Sequence, residues 1–466
     1  MRRSWLLLAI AAGLLITFPS ALDSCAIAPP APIFETVKRP ADVSGEFLRG
    51  RLGVVRTSWE PIYLIGAFRI LSGRPLTKVE MDALYPPTPD RDDRYYGARA
   101  GIRDQTQAWE SRRQGLSNEP AKHVAVQPYK RSDAKGYVSA FLNCNADAFE
   151  TAGATLQALQ EEWGPRDPKI LAWVFAQDQV FRNCSSMSPT IPDPAGPAMD
   201  PLLAAHRRYQ IAAAQFYAGE FQKAADGFLA IAKETDSPWR TIAPYLAARA
   251  LMRAGQFIGD RAAEIAAKRI LEASLQDPTF ADWHADSEAL LGRLRLRIEP
   301  VARLAELGGV LERPAAETLA PEQIRQMAID FLYALRSRPS TPADQMRKES
   351  ASELAAWLNT MSAQGPARGT SAYDRWRKTA NPAWLIASLL TAPDPVINEL
   401  LSAAANVSPD SSAFDSVAYY AAIREDRRGR SEEARKWLDR ALARRAMVRS
   451  GRNMMLAERT KLARNW

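Results

Sequence analysis

Three stretches of the chain set a tyrosine, an alanine three residues on and a glycine seven residues further in one fixed register: YQIAAAQFYAG (209–219), YLAARALMRAG (245–255) and YYAAIREDRRG (419–429). Offsets of three and seven keep Tyr209 with Ala212, Tyr245 with Ala248 and Tyr419 with Ala422 on one face of a 3.6-residue helix. Gly219, Gly255 and Gly429 then suit the left-handed position that ends such a helix. A second series follows, Ala224, Phe228 and Ile231 after Gly219, and Ala434, Leu438 and Ala441 after Gly429. After Gly255 the series Ala266, Ile270 and Ala273 arrives six residues late, which places an insertion, QFIGDR, in the turn between two helices; Pro278 closes that unit.

Close packing explains the register. Ala212 and Ala224 are expected where two antiparallel helices cross, because a large side chain there would push the axes apart. Phe228 and its equivalents then fill the gap against a neighbouring pair. A hairpin of this kind cannot cover its own apolar face, so the pairs must stack.

The pattern resembles the tetratricopeptide repeat over 204–279 and 412–446, about a quarter of the chain. It departs at Ile231, which replaces a usual small residue, at the displaced Pro238, and in a third unit without a closing proline. The resemblance implies an all-α fold, a superhelix or solenoid of antiparallel helical hairpins, here with an irregular N-terminal region. It also implies that the first helices line a concave groove. On that implication the groove residues are His206, Tyr209, Ala213 and Phe216, then Ile242, Tyr245, Arg249 and Met252, and Tyr419 in the last unit. A tyrosine ladder with Arg249 suits an extended peptide or a partner's helix, because rigid aromatics supply area and a guanidinium reads carboxylates or carbonyls. The alternative is that these tyrosines pack between adjacent first helices.

With 466 residues, 47% of them hydrophobic, the chain can bury one large core or several. Its N-terminus has a basic start (Arg2, Arg3) and an apolar stretch from Trp5 to Phe18, too short to favour a spanning helix, so 1–24 read as an export signal. LDSC partly resembles the lipobox of bacterial lipoproteins. Leu22 and Ser24 fit, Asp23 departs, and Cys25 is the residue that would be acylated; release as a soluble periplasmic protein is the alternative. The expected location is the periplasm, free or membrane-anchored.

The other two cysteines, Cys144 and Cys184, flank two helical stretches separated by GPRDP. Phe149, Leu156, Leu159 and Trp163 fall close to one helix face. Gly164 ends that helix, Asp167 caps the next and Pro168 takes its first position. Antiparallel helices of matched length bring the two sulfurs together, and in an exported protein that implies a disulfide. Closing such a loop stabilises by about 4 kcal/mol in the chain-entropy model.

Composition divides the rest. A leader, a short apolar helix (WEPIYLIGAFRILSG) and a loop (YPPTPDRDDRYYGARAGIRD) occupy 25–135, the disulfide-pinned hairpin 136–185, a Pro-rich linker 186–201 and the repeats 202–300. Further helical pairs fill 301–466, through PEQIRQMAIDFLYALRS, SASELAAWLNTM, PAWLIASLL and DPVINELLSAAA, to a basic hairpin and a terminal amphipathic helix. From Arg424 to Trp466 there are fourteen Arg and Lys against six Asp and Glu, an excess equal to the +8 net charge of the whole chain. Such a tail fits anionic headgroups or an acidic partner, or is a solvated face.

Catalytic signatures are scarce. His123, His206 and His284 are far apart; His284 and Glu288 lie one helical turn apart, a weak metal pair at best. SDAK (132–135) has Ser-x-x-Lys spacing without partner motifs, and no nucleotide-binding fingerprint is present. Asp178 is the carboxylate set in the most apolar surroundings. The reading is therefore a non-enzymatic envelope scaffold that binds a protein or peptide, with no cofactor and no nucleic acid. An envelope hydrolase or glycan-processing enzyme, or a solute- or glycan-binding lipoprotein, is the alternative. Acylation of Cys25 predicts a mature chain that begins there and exceeds its peptide mass by that of the acyl groups, which the intact mass of envelope-purified protein checks.

Overall fold

Proline, aspartate and glycine divide the chain into helices largely where the sequence marks them. The computed structural model describes residues 43–85, 91–116, 128–132, 138–185, 189–315, 319–337, 352–362, 367–444 and 447–463; the expected export signal and Cys25 lie outside them. The first helices are α1 (Val43–Leu48), α2 (Pro61–Leu71), α3 (Lys78–Leu84) and α4 (Arg91–Gln114). An antiparallel ribbon of β1 (Pro128–Ser132) and β2 (Val138–Leu142) follows, pairing Pro128 with Leu142 and Ser132 with Val138. Then come α5 (Ala146–Trp163) and α6 (Pro168–Arg182), α7 (Pro201–Tyr217) and α8 (Phe221–Ile231), α9 (Ala243–Ile258) and α10 (Arg261–Ser274). After a 3-10 turn (Pro278–Trp283) the chain continues through α11 (His284–Ile298), α12 (Pro300–Leu311), α13 (Pro321–Arg336) and α14 (Glu353–Ser362). It ends with α15 (Ala367–Thr379), α16 (Pro382–Thr391), α17 (Ile397–Ala405), α18 (Phe414–Arg427), α19 (Ser431–Leu442) and α20 (Arg449–Lys461). Apart from the ribbon, the described fold is helical, with sequence-adjacent helices packed on one another.

The hairpin between the cysteines forms as expected. Gly164 closes α5 at φ 89°, and the Asp167 carboxylate accepts from Lys169 N at the start of α6. Cys144 and Cys184 are joined, their Cα atoms 5.4 Å apart across a separation of 40 residues.

Three expectations change. Gly219 and Gly429 adopt the left-handed backbone that ends a first helix (φ 84° and 74°), but Gly255 does not. Helix α9 runs through Gly255 to Ile258, and Gly259 (φ 80°) takes the cap. Gly255 serves close approach instead: a Cβ there would lie 2.1 Å from Glu264 Cγ. The insertion is thus absorbed as an additional turn of helix, and α10 starts at the Asp260 cap with its face rotated. It buries Ala263, Ala267, Leu271 and Ser274 rather than Ala266, Ile270 and Ala273.

Among the described residues the N-terminal region is more regular than expected. Much of the expected loop is the helix α4, which packs on α5 and buries Thr106, Trp109 and Arg113, one helical face of which two members are polar. Arg113 reaches Asp178 on α6 with Nε at 2.8 and 2.7 Å from the two carboxylate oxygens and Nη2 at 2.6 Å. Asp178 is therefore half of a bidentate ion pair that fastens α4 to α6.

The Pro-rich segment is laid down along the hairpin. Asn183 Nδ2 donates to Thr190 O and Thr190 N donates back to Asn183 Oδ1, while Arg207 donates to Asp193 O. The cores do not follow the boundaries expected from composition. One runs without a break from Trp109 to Leu294, across that segment. The other joins residues 47–84 to residues 296–455, so the chain returns to cover its first described helices, and α11 contributes to both.

Two contacts hold that return. Val55 N donates to Ser416 Oγ (2.9 Å), which donates to Gly53 O (3.1 Å), and Tyr420 Oη donates to Val55 O (2.8 Å). Deeper, Arg69 and Glu80 are 2% and 3% exposed and meet at 2.8 Å. Arg69 also donates to the carbonyls of Arg74, Pro75 and Leu311, while Glu80 accepts from Thr77 N and Ala315 N. Burial alone would raise the Glu80 carboxyl, but hydrogen bonds from Arg69, Thr77 and Ala315 and the Arg69 charge outweigh it and hold it below the usual range. Removing one partner strands the other charge. Arg69→Met is expected to cost about 3–5 kcal/mol in urea unfolding, several times the cost of breaking the exposed pair Lys78–Asp82.

Candidate groove beside the disulfide hairpin

Helix α7 starts at Asp200, whose carboxylate accepts from Leu202 N and Leu203 N, with Pro201 in the first turn. That start sets the phase in which Tyr209, Ala213 and Tyr217 face the α5 residues Ala148, Thr151, Ala152 and Thr155 across a shallow groove. The opposite wall of the expected groove is therefore the disulfide hairpin, which the repeat register did not indicate. Only about 30 Å³ is enclosed there, room for a water or two.

The tyrosines are packing residues with exposed edges. Tyr209 stacks on Trp239 (3.7 Å, 11°) and meets Phe228 at 6.0 Å; Tyr245 stacks on Trp283 (5.7 Å, 20°). Each tryptophan lies in the connection that follows the second helix of its pair, so the ring face of each tyrosine is spent inside the fold. Burial pushes the hydroxyls of Tyr209 and Tyr217 above their ordinary range and keeps them protonated.

His206 is 5% exposed, with its ring edge-on to Trp173 and Trp239. Trp239 Nε1 donates to its Nδ1 at 3.1 Å, which assigns the neutral Nε2–H tautomer. Burial lowers its pKa to about 4. His206 belongs to the floor of this region and offers no free edge to a ligand.

Two guanidiniums one helical turn apart distinguish the groove. Arg253 lies 4.0 Å from the Phe216 ring centroid and donates to Asn143 Oδ1 (3.1 Å) and Asn143 O (3.3 Å). Arg249 is cradled by Tyr245 (5.6 Å) and Phe216 (5.9 Å), and its nearest carboxylate is that of Asp147, 3.7 Å away and 61% exposed. Among the described residues Arg249 has no hydrogen-bond acceptor within ordinary distance.

Asn143 is what places Arg253. It is 8% exposed and donates to Asn183 O (2.8 Å) and Tyr217 O (2.7 Å). Asn183 in turn ties Gln179, Val180 and Thr190. Each asparagine immediately precedes a bridged cysteine, so the disulfide joins two hydrogen-bonding hubs and fixes one wall of the groove to α7 and α9. The repeated Asn-Cys pair was the available signal for it.

The structure thus gathers His206, Tyr209, Phe216, Tyr245 and Arg249 in one region and adds Tyr217, Trp239, Trp283, Arg253 and Asn143. Met252 is buried. Tyr419 stands apart: it packs against the other core and donates to Glu458 on α20, at 3.4 Å. Several described arginines of the basic tail are engaged within the fold. Arg424 donates to Leu389 O and Ala392 O, Arg435 to Leu462 O, Arg444 pairs with Asp415 and Arg459 with Asp439. His284 Nε2 donates to Ser274 O and Asp277 O, closing the turn before α11 rather than turning to Glu288. Among the described residues no three His, Cys, Asp or Glu cluster as metal ligands, and no helix is long and apolar enough to cross a membrane. The candidate SDAK reaches beyond the described residues. No protein-family model, curated protein or solved structure matches this chain.

His206 gives the region a pH signature. Its folded pKa is depressed, so the unfolded chain takes up the proton first as pH falls. Its contribution is complete above pH ~6.5 and is lost progressively down to pH ~4, by up to about 3 kcal/mol. His206→Gln keeps an acceptor for Trp239 and should flatten this part of the wild-type stability profile in denaturant unfolding measured across that interval.

Proposed function

We propose that the protein is a non-enzymatic scaffold of the bacterial cell envelope. Its hairpins act as a tetratricopeptide-like array, and the groove between α5, α7 and α9 takes an extended protein segment bearing a carboxylate. The observation that carries this reading is Arg249, a guanidinium cradled by Phe216 and Tyr245 that, among the described residues, has only a 3.7 Å ion pair with the exposed Asp147 and no hydrogen-bond acceptor. Holding a planar donor in a half-buried aromatic cradle reduces the entropy a ligand must remove on binding.

The buried Cys144–Cys184 bridge is consistent with export, since such bonds persist in oxidising compartments. Lipidation of Cys25 would hold the groove at a membrane surface, with peptide partners supplied from the periplasm.

Crosslinking in the native envelope followed by co-purification tests the reading. Arg249→Glu should reduce recovery of the captured partner by roughly 10-fold or more, with helix content and melting temperature unchanged. A partner recovered equally well with Arg249→Glu would overturn the assignment of the groove.

A further inference from the structure

A second opening lies away from the groove, between α11, α12 and α13, and encloses about 380 Å³. That is the size range of small-ligand sites, whereas the groove beside Tyr209 encloses a tenth as much. Leu291 and Met327 form apolar wall, and charged groups of both signs converge on it.

Three of those charges are matched with one another. Glu306 accepts from Arg303 Nη1 at 2.6 Å and pairs with Arg295 Nη2 at 2.8 Å. Of the less exposed groups, two are left incomplete among the described residues. Arg303 is 15% exposed; its Nε is sealed away and its Nη1 is held by Glu306, which leaves Nη2, beside Gly292 in the cleft lining, without a hydrogen-bond partner among the described residues. Asp330 is 7% exposed; its Oδ1 accepts from Gln326 Nε2 at 2.7 Å, and no cation pairs with it among the described residues. A guanidinium nitrogen without an acceptor and a buried carboxylate without a cation are both incompletely matched, and a ligand that meets both gains from each.

We propose that this cleft binds a small zwitterion, a free amino acid or a dipeptide, with its carboxylate toward Arg303 and its ammonium toward Asp330. A sugar is disfavoured because none of the residues lining the cleft is aromatic, and stacked rings are the usual platform for a pyranose face. A simple cation would leave the Arg303 donor unmet. The site is independent of the peptide groove, since no residue lines both.

The test is thermal unfolding and calorimetric titration of the purified chain with each free L-amino acid and with a set of dipeptides. At least one should raise the melting temperature at millimolar concentration. Amidating its carboxylate, acetylating its amine, Asp330→Asn or Arg303→Gln should each weaken binding roughly 10- to 100-fold. Met327→Trp fills the cleft without touching either charge and should abolish the effect, which keeps the test decisive if a charge variant fails to fold. Arg249→Glu should leave it intact, separating this site from the groove. Failure of every zwitterion to stabilise the chain, or stabilisation that survives Asp330→Asn, Arg303→Gln and Met327→Trp, overturns the proposal.

Discussion

An arginine and a glutamate sealed in the interior hold this architecture in register. Arg69 and Glu80 both sit on the N-terminal helices, yet two of the groups that complete them, Leu311 O and Ala315 N, come from the end of α12. Buried charges tolerate no vacancy among their partners, because the desolvation cost is offset only when every lone pair and proton is satisfied. The pair therefore acts as a key: the N-terminal helices dock in one orientation or the charge is stranded. Residues 47–84 consequently complete a core whose other members begin at Leu296, and the ends of the described chain come together through Gly53, Val55, Ser416 and Tyr420.

The other core is held by a different device. Small side chains at Ala212, Ala224 and Ala248 let helix axes approach, and the resulting gaps are closed by tryptophans from the connections, Trp239 over Tyr209 and Trp283 over Tyr245. Because the tyrosine faces are occupied, what the groove presents is charge on an aromatic bed. The disulfide contributes by joining the segments that carry Asn143 and Asn183, so a covalent bond buried in the hairpin ends, through two amides, at the guanidinium of Arg253.

Much of the candidate groove was legible one residue at a time. Tyr209, Tyr245, Phe216 and Arg249 follow from the repeat register, since they share a helix face whatever surrounds it. Tyr419 shares the register too, but α20 packs beside it and takes its hydroxyl. Helix α4 was obscured because its buried face uses Thr106 and Arg113 beside Trp109, and polar residues at core positions give no apolar period. Arg113 is accommodated there with the help of Asp178, which waits on another element.

By itself the sequence determined most of the helices, the hairpin between the cysteines and the bridge that closes it, because capping residues, helical period and loop length are local and act before any distant contact forms. Which hairpin faces which, that the Pro-rich segment is a docked strap, that the N-terminal helices belong with the C-terminal ones, and that Arg303 and Asp330 line one cleft were decided only by the tertiary structure. Those outcomes depend on pairs of residues far apart in the chain, whose packing and charge become complementary only once the helices have been brought together.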